Sequence, residues 1–258
     1  MRYGVIADVH ANLHALDAAL EFLSGQRIDE YLCAGDLVGY GPLPSESVRR
    51  VLALPGRCVA GNHDLIVLGR LSDERCVAAA RASLRWTRAA LDDDAQGALA
   101  QLPIGARAGD VVLRHGSVSD PQEYVISERQ ALACLDELER AEPGARILIL
   151  GHTHRPMAVG RRRARLLRRA TGTVELADDE PVVLNPGAVG QSRSRDPRAR
   201  VMVLDTAART ASFHAVAYDE AACRRALAER GLPQDSCHIP RSRWSEVAGA
   251  LARRVSRA

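Results

Sequence analysis

Five short apolar runs in this chain are each followed, within a few residues, by side chains that ligate metals. Tyr3–Ala7 leads to Asp8-Val9-His10 and Tyr31–Ala34 to Gly35-Asp36. Cys58–Ala60 leads to Gly61-Asn62-His63-Asp64, Val111–Leu113 to Arg114-His115, and Ile147–Leu150 to Gly151-His152-Thr153-His154. Asp8, His10, Asp36, Asn62, His115, His152 and His154 together offer carboxylate or amide oxygens and imidazoles, with no thiolate among them. Such donors suit Mn²⁺, Fe or Zn²⁺ without singling out one metal. They are also too many for one ion. If one carboxylate bridges, they fill two four-ligand sites and leave open positions for water and substrate. A pair of cations about 3.5–4 Å apart is one solution for in-line displacement at phosphorus.

For residues so far apart to meet, the apolar runs must be strands whose carboxyl ends share one crevice, as in open α/β sheets. Alternate residues of an extended segment point the same way, which lets Asp8 act with His10 and His152 with His154. The intervening sequence supplies helices. Asn12 caps a stripe of Leu13, Leu16, Leu20 and Leu23 that ends at Gly25, and a second helix follows Pro44. A longer helix is expected from about Asp73 to Leu91, with a shorter one to Leu102. Ser127-Glu128-Arg129-Gln130 fits a capping box. Beyond residue 156 the pieces are short and β-like: Met157–Val159, Thr173–Leu176, Val182–Leu184, Val201–Leu204 and Ser212–Val216. They suggest a second, mainly antiparallel sheet packed on the first. Asp219–Arg230 and a stretch from Arg243 read as helices.

At 258 residues the chain has room for one large α/β domain, at roughly 100–200 residues per domain. No linker divides it, so one domain over 1–258 is expected, with a basic insertion at about 160–170 and a helical extension at about 241–258. All basic residues are Arg, 35 against 32 acidic, for a net charge of +3. That is too little to signal non-specific nucleic-acid binding. No apolar run approaches the ~18 residues of a membrane span. The six cysteines lack a CxxC and read as reduced thiols of a cytoplasmic protein. The start of the chain shows no signal-peptide pattern.

The series Asp8-x-His10, Gly35-Asp36-x-x-Gly39, Gly61-Asn62-His63-Asp64, His115 and Gly151-His152-x-His154 resembles the calcineurin-like metallophosphoesterase superfamily in residue type and order. Gly35–Pro42 and Asn185-Pro186-Gly187-Ala188-Val189-Gly190-Gln191 are similar to its bacterial and archaeal phosphodiesterase branch, related to diadenosine tetraphosphatase. The resemblance spans about residues 1–220. It implies two facing mixed β-sheets flanked by helices, a four-layer αββα sandwich. It also implies one cation on Asp8, His10, Asp36 and His154 and another on Asp36, Asn62, His115 and His152, bridged by Asp36. Mn²⁺ is the expected ion, with Fe, Zn²⁺ and Ni²⁺ as alternatives. His63 would contact the phosphate and assist the leaving group, with Asp64 orienting its ring. The implied reaction is phosphodiester hydrolysis by a metal-bridging hydroxide on a small-molecule or nucleotide substrate. The alternatives are a dinucleoside-polyphosphate hydrolase, a Ser/Thr protein phosphatase, and a non-catalytic scaffold of the same fold.

Arg155, Arg193 and Arg195 can bind phosphate with paired donors. In so Arg-rich a chain, solvated surface positions are the competing reading. Ala188 stands where many relatives carry Ser. His14, His214 and His238 read as structural or surface residues. The run Arg161-Arg162-Arg163, Arg165, Arg168 and Arg169 lacks interleaved aromatics and reads as a solvated hairpin. Trp244, Val247, Leu251 and Val255 mark an amphipathic helix covering its own core.

Overall fold

The computed structural model describes residues 1–161, 171–177 and 179–238. Two mixed sheets face each other. The six-stranded sheet contains β1 (Arg2–Ile6), β2 (Glu30–Cys33), β3 (Gly56–Cys58), β8 (Gly172–Glu175), β10 (Ala199–Asp205) and β11 (Thr210–Val216), in the order β3-β2-β1-β10-β11-β8. The five-stranded sheet contains β4 (Ala106–Ala108), β5 (Val111–Leu113), β6 (Ile147–Ile149), β7 (Met157–Gly160) and β9 (Val182–Asn185), in the order β4-β5-β6-β9-β7. Strands β1, β2 and β3 run parallel, as do β5, β6 and β9; β10, β11, β8, β4 and β7 add antiparallel partners.

This arrangement corrects two expectations. The five ligand-bearing runs do not share a first sheet: β1, β2 and β3 belong to one sheet and β5 and β6 to the other. Nor do the later strands form a second sheet of their own. β8, β10 and β11 extend the first sheet, and β7 and β9 complete the second. Hydrophobic periodicity fixes which residues are strands, but pairing between distant strands depends on contacts that no local pattern contains.

The period of two along each strand builds three apolar layers. Val111, Leu113, Ile147 and Ile149 face the other sheet, where they meet Val5, Leu32, Met202, Leu204 and Phe213. Their neighbours Val112 and Leu148 point outward against Ala131, Leu135 and Leu138 of α6 (Glu128–Ala141). On the far side of the six-stranded sheet, Ile6, Cys33, Val201 and Val203 pack under α1 (Leu13–Ser24), α2 (Pro44–Leu52), α4 (Ala78–Ala90) and α5 (Asp93–Ala100). Helices therefore cover both outer faces of the paired sheets, which is the expected four-layer sandwich.

Local signals place most helix ends. Asn12 accepts from the Ala15 N–H and caps α1, and Ser127 accepts from the Gln130 N–H and caps α6. The helix expected from Asp73 begins only at Ala78, because the Asp73–Cys76 segment closes on itself in a turn. The short α3 (Asn62–Val67) begins at the Asn62-His63-Asp64 motif itself. The helix after residue 218 is α7 (Glu220–Glu229). Most of the basic run and the stretch from Arg243 lie outside the described residues; Arg161 pairs with Asp136 and Glu139. No helix among the described residues is long and apolar enough to cross a membrane.

Candidate metal centre

The carboxyl ends of β1, β2 and β3 in one sheet and of β5 and β6 in the other open onto the same seam. Backbone hydrogen bonds tie the loops there. Asp8 N donates to Gly35 O at 2.9 Å, His10 N to Asp36 O at 2.9 Å, and Gly151 N to His115 O at 2.8 Å. The loop after β9 joins them: Val189 N donates to Ala7 O at 3.0 Å and Gly190 N to Asp8 O at 2.9 Å. This puts the Asn185–Gln191 segment beside the site.

All seven expected donors meet in this seam, each side chain buried. Asp8, His10 and His154 present ligand atoms within 4.8 Å of one another; so do Asp36, His115 and His152, and so do His10, Asp36 and His63. Asp36 Oδ2 links the groups, lying 3.6 Å from His10 Nε2 and 3.3 Å from His115 Nε2. Asn62 Oδ1 completes the second group at 3.1 Å from His115 Nε2. His63 heads α3 against Asp36, whose Oδ1 accepts the His63 N–H at 2.8 Å.

The hydrogen bonds behind the imidazoles test whether cations fit. The Nδ1 atoms of His10, His115 and His154 lie 3.0, 2.6 and 2.7 Å from the carbonyls of Val38, Ala34 and Gln191. A carbonyl only accepts, so each Nδ1 carries the proton and, in the neutral ring, Nε2 turns a lone pair inward. Burial holds His10 and His154 well below the usual imidazole range, hence neutral. Yet their Nε2 atoms are 3.0 Å apart, so two lone pairs face each other with no proton between them. Asp8 Oδ2 and His152 Nε2 are buried with no hydrogen-bond partner among the described residues. A buried polar atom left this way is costly unless something else satisfies it. Ligands about 2.0–2.2 Å from a shared ion lie roughly 3 Å or more apart, so the spacing and the orphaned atoms both fit divalent cations.

The remaining electrostatics follow from burial and crowding. Burial, helped by Asp36, pushes Asp8 up to about 7. Burial also raises Asp36, but the imidazoles of His115 and His63 outweigh it and hold that carboxyl well below its usual value. Burial pulls His115 down, but the Asp36 carboxylate overcomes it and carries the ring up to about 9. Burial takes His63 down to about 4.

The chain at this site is held in an unusual shape. Asp8, His10, Asp36, His152 and His154 all adopt positive φ, between 49° and 65°. Left-handed backbone costs an L-residue about 1–2 kcal/mol. Five such residues at one seam mark strain of the kind that collects at functional sites. The expected role of Asp64 needs correction. Its carboxylate accepts from the N–H groups of Gly61, Leu37 and Val38 at 2.8, 2.9 and 3.2 Å, and it ties the loops after β2 and β3. It does not orient the His63 ring, whose Nδ1 has no partner among the described residues. Backbone donors claim both of its oxygens.

The three arginines differ. Arg155 and Arg195 are exposed, whereas Arg193 is buried, with Nη1 at 3.4 Å from both Tyr124 Oη and the His152 carbonyl oxygen. Two aromatic residues, whose positions the sequence could not give, also line the site. Tyr40 packs on His10 and His63, with ring centroids 4.9 and 4.8 Å apart, and Tyr124 packs on His152 at 4.0 Å. Tyr40 adjoins the Gly35-Asp36 motif, which was the available signal. Nothing local marks Tyr124.

The calcineurin-like phosphoesterase superfamily domain matches residues 1–209, a stretch that contains every donor named above. The chain belongs to this superfamily. Its fold is close to that of a metallophosphoesterase from Sphaerobacter thermophilus, with a TM-score of 0.79 at 33% identity over 92% of this chain and 96% of the other. A Pyrococcus horikoshii protein shares the fold at 20% identity, with a TM-score of 0.72 over 92% and 96% of the two chains. An uncharacterized protein of Methanocaldococcus jannaschii is 28% identical over 236 residues, 89% of this chain and 93% of its own. The phosphoesterase superfamily uses divalent metals, and this member retains residue clusters able to hold them.

Proposed function

We propose that this phosphoesterase hydrolyses phosphodiesters of small-molecule or nucleotide type with two divalent cations, Mn²⁺ foremost, held in one domain. Asp8, His10, Asp36 and His154 would hold one cation, and Asp36, Asn62, His115 and His152 the other. The observation that carries this reading is the position of Asp36 Oδ2, within 3.6 Å of imidazoles from both halves of the site. Bound there, the cations supply a water of lowered pKa as nucleophile and neutralise charge on the phosphoryl oxygens.

The chain's own groups do the rest. The Nδ1–H bonds of His10, His115 and His154 to carbonyls keep their Nε2 lone pairs turned inward. His63 lies beside the shared carboxylate, where it can hand a proton to the leaving oxygen. Burial keeps it neutral in the chain alone, and an arriving anionic phosphoryl group favours the imidazolium it needs. Arg193 offers guanidinium donors at the Tyr124 side of the cage. The complete donor set speaks against a non-catalytic scaffold, and the free thiols fit a reducing, cytoplasmic compartment.

The test is turnover of a panel of phosphate mono- and diesters by chelated protein before and after Mn²⁺ is added back. Hydrolysis restored by the metal, with diesters preferred, is the expected result. No hydrolysis anywhere in the panel sinks the reading.

A further inference from the structure

Gln191 stands where three parts of the molecule meet, and each of its polar atoms serves a different one. Its main-chain carbonyl accepts from His154 Nδ1 at 2.7 Å. Its side-chain Oε1 accepts from Arg193 Nε at 3.3 Å, and its Nε2 donates to the Ser236 carbonyl at 2.8 Å. The residue is wholly buried. A buried amide is costly unless its ends are bonded, so this side chain is fixed by the Arg193 and Ser236 contacts.

Ser236 belongs to the segment after α7. The same segment places His238 Nε2 at 2.8 Å from the Ser194 carbonyl and pairs His238 with Ser192. Its Cys237 packs with Cys223 and Leu227 of α7. α7 and the segment after it lie beyond the residues that the superfamily domain matches. The loop carrying Arg193 is thus held on one side by the metal cage and on the other by the chain at 232–238. At the cage, Arg193 Nη1 reaches the His152 carbonyl and Tyr124 Oη, whose ring covers the His152 imidazole. These contacts, at 3.4 Å, are long and made to neutral oxygens. An anionic phosphoryl oxygen is a stronger acceptor for the same guanidinium.

We infer that Gln191 is a positioning residue: braced by the 232–238 segment, it holds the Arg193 guanidinium at the wall of the cage, where that group takes a phosphoryl oxygen of the substrate. The inference rests on the phosphoesterase reading and adds to it the part of the molecule that sets phosphate affinity. It also separates cleanly from metal binding. His154 uses the main-chain carbonyl of residue 191, which any side chain leaves in place, whereas Arg193 uses the side-chain amide.

The experiment uses the full chain loaded with Mn²⁺ and inorganic phosphate as the probe, with affinity read by calorimetry. KM and kcat on bis(p-nitrophenyl) phosphate are read alongside. Loss of a charge-assisted pair in Arg193→Ala weakens phosphate binding about tenfold or more. Gln191→Met keeps the volume, removes both side-chain hydrogen bonds, and weakens phosphate about three- to tenfold through loss of ordering. Its KM rises more than its kcat falls, and its metal content equals that of the parent. The double variant is no worse than Arg193→Ala alone, because both act through one group. Gln191→Ala serves as a second variant if the thioether packs badly. Multiplying effects in the double variant, unchanged phosphate affinity in either single variant, or loss of metal from Gln191→Met overturns the inference. A parent that hydrolyses nothing while binding phosphate through Arg193 would instead sink the esterase reading alone.

Discussion

Asp36 carries more of the proposed chemistry than any other side chain, because one of its oxygens faces imidazoles of both groups while the other anchors the first turn of α3. Asp36→Asn keeps the shape but removes the charge that holds cations. The variant should lose bound metal and turnover together, read by elemental analysis and by the ester assay. His63→Ala should keep its metal and lose about 10²–10⁴-fold in kcat, the usual worth of a general acid. Loss of metal from that variant would move His63 from proton transfer to ligation. Protons also compete with cations here. Asp8, raised to about 7, and His115, raised to about 9, both hold protons at pH 6 in the metal-free chain. Ligands must give these up, so Mn²⁺ binding should release protons and tighten as pH rises from 6 to 9. Calorimetry in two buffers of different ionisation heat measures this; affinity that is flat over that range would contradict it.

The ligand side chains were legible in the sequence because their residue types are rare in combination and each closes an apolar run. The conformation that aims them was not. Positive φ at Asp8, His10, Asp36, His152 and His154 leaves no mark in spacing or hydropathy. At the scale of elements, close approach between loops decides the geometry. A Cβ at Gly61 would overlap the Asp36 carboxylate, and one at Gly39, where φ is 90°, would overlap the His63 ring. Gly39→Ala should therefore push His63 aside and lower kcat with little change in metal content, because the seven donors lie elsewhere. Retained turnover would show that the ring has room to move. The role of Asp64 was misread for a related reason. A carboxylate adjacent to a histidine in sequence invites a relay, but at the head of a helix the nearest donors are backbone N–H groups. Capping of α1 and α6 was readable because Asn12 and Ser127 act on residues three positions away.

At the scale of the whole molecule, the layer between the sheets holds the two halves of the site in register. Ile149 and Leu113 end β6 and β5 just before the donors and are wholly buried against the opposite sheet. Ile149→Ala should cost about 2–5 kcal/mol of stability from lost burial and the cavity left behind. It should also weaken metal binding, since His152 and His154 lie in the loop that leaves this strand. Chemical denaturation with and without Mn²⁺ checks both effects. If stability falls while metal affinity stays unchanged, the donors are held by the loops alone and not by the inter-sheet layer.

The sequence by itself determined the donor set, the alternation of strands and helices, and the superfamily, since each is written in residue types and short-range periodicity. Only the tertiary structure decided that the ligand-bearing strands divide between two sheets, that Asp64 binds backbone, and that Arg193 is buried where Arg155 is exposed. Those outcomes turn on which distant segments pair and which groups are left without water. Such contacts are settled by the energy of the assembled chain, and no local stretch encodes them.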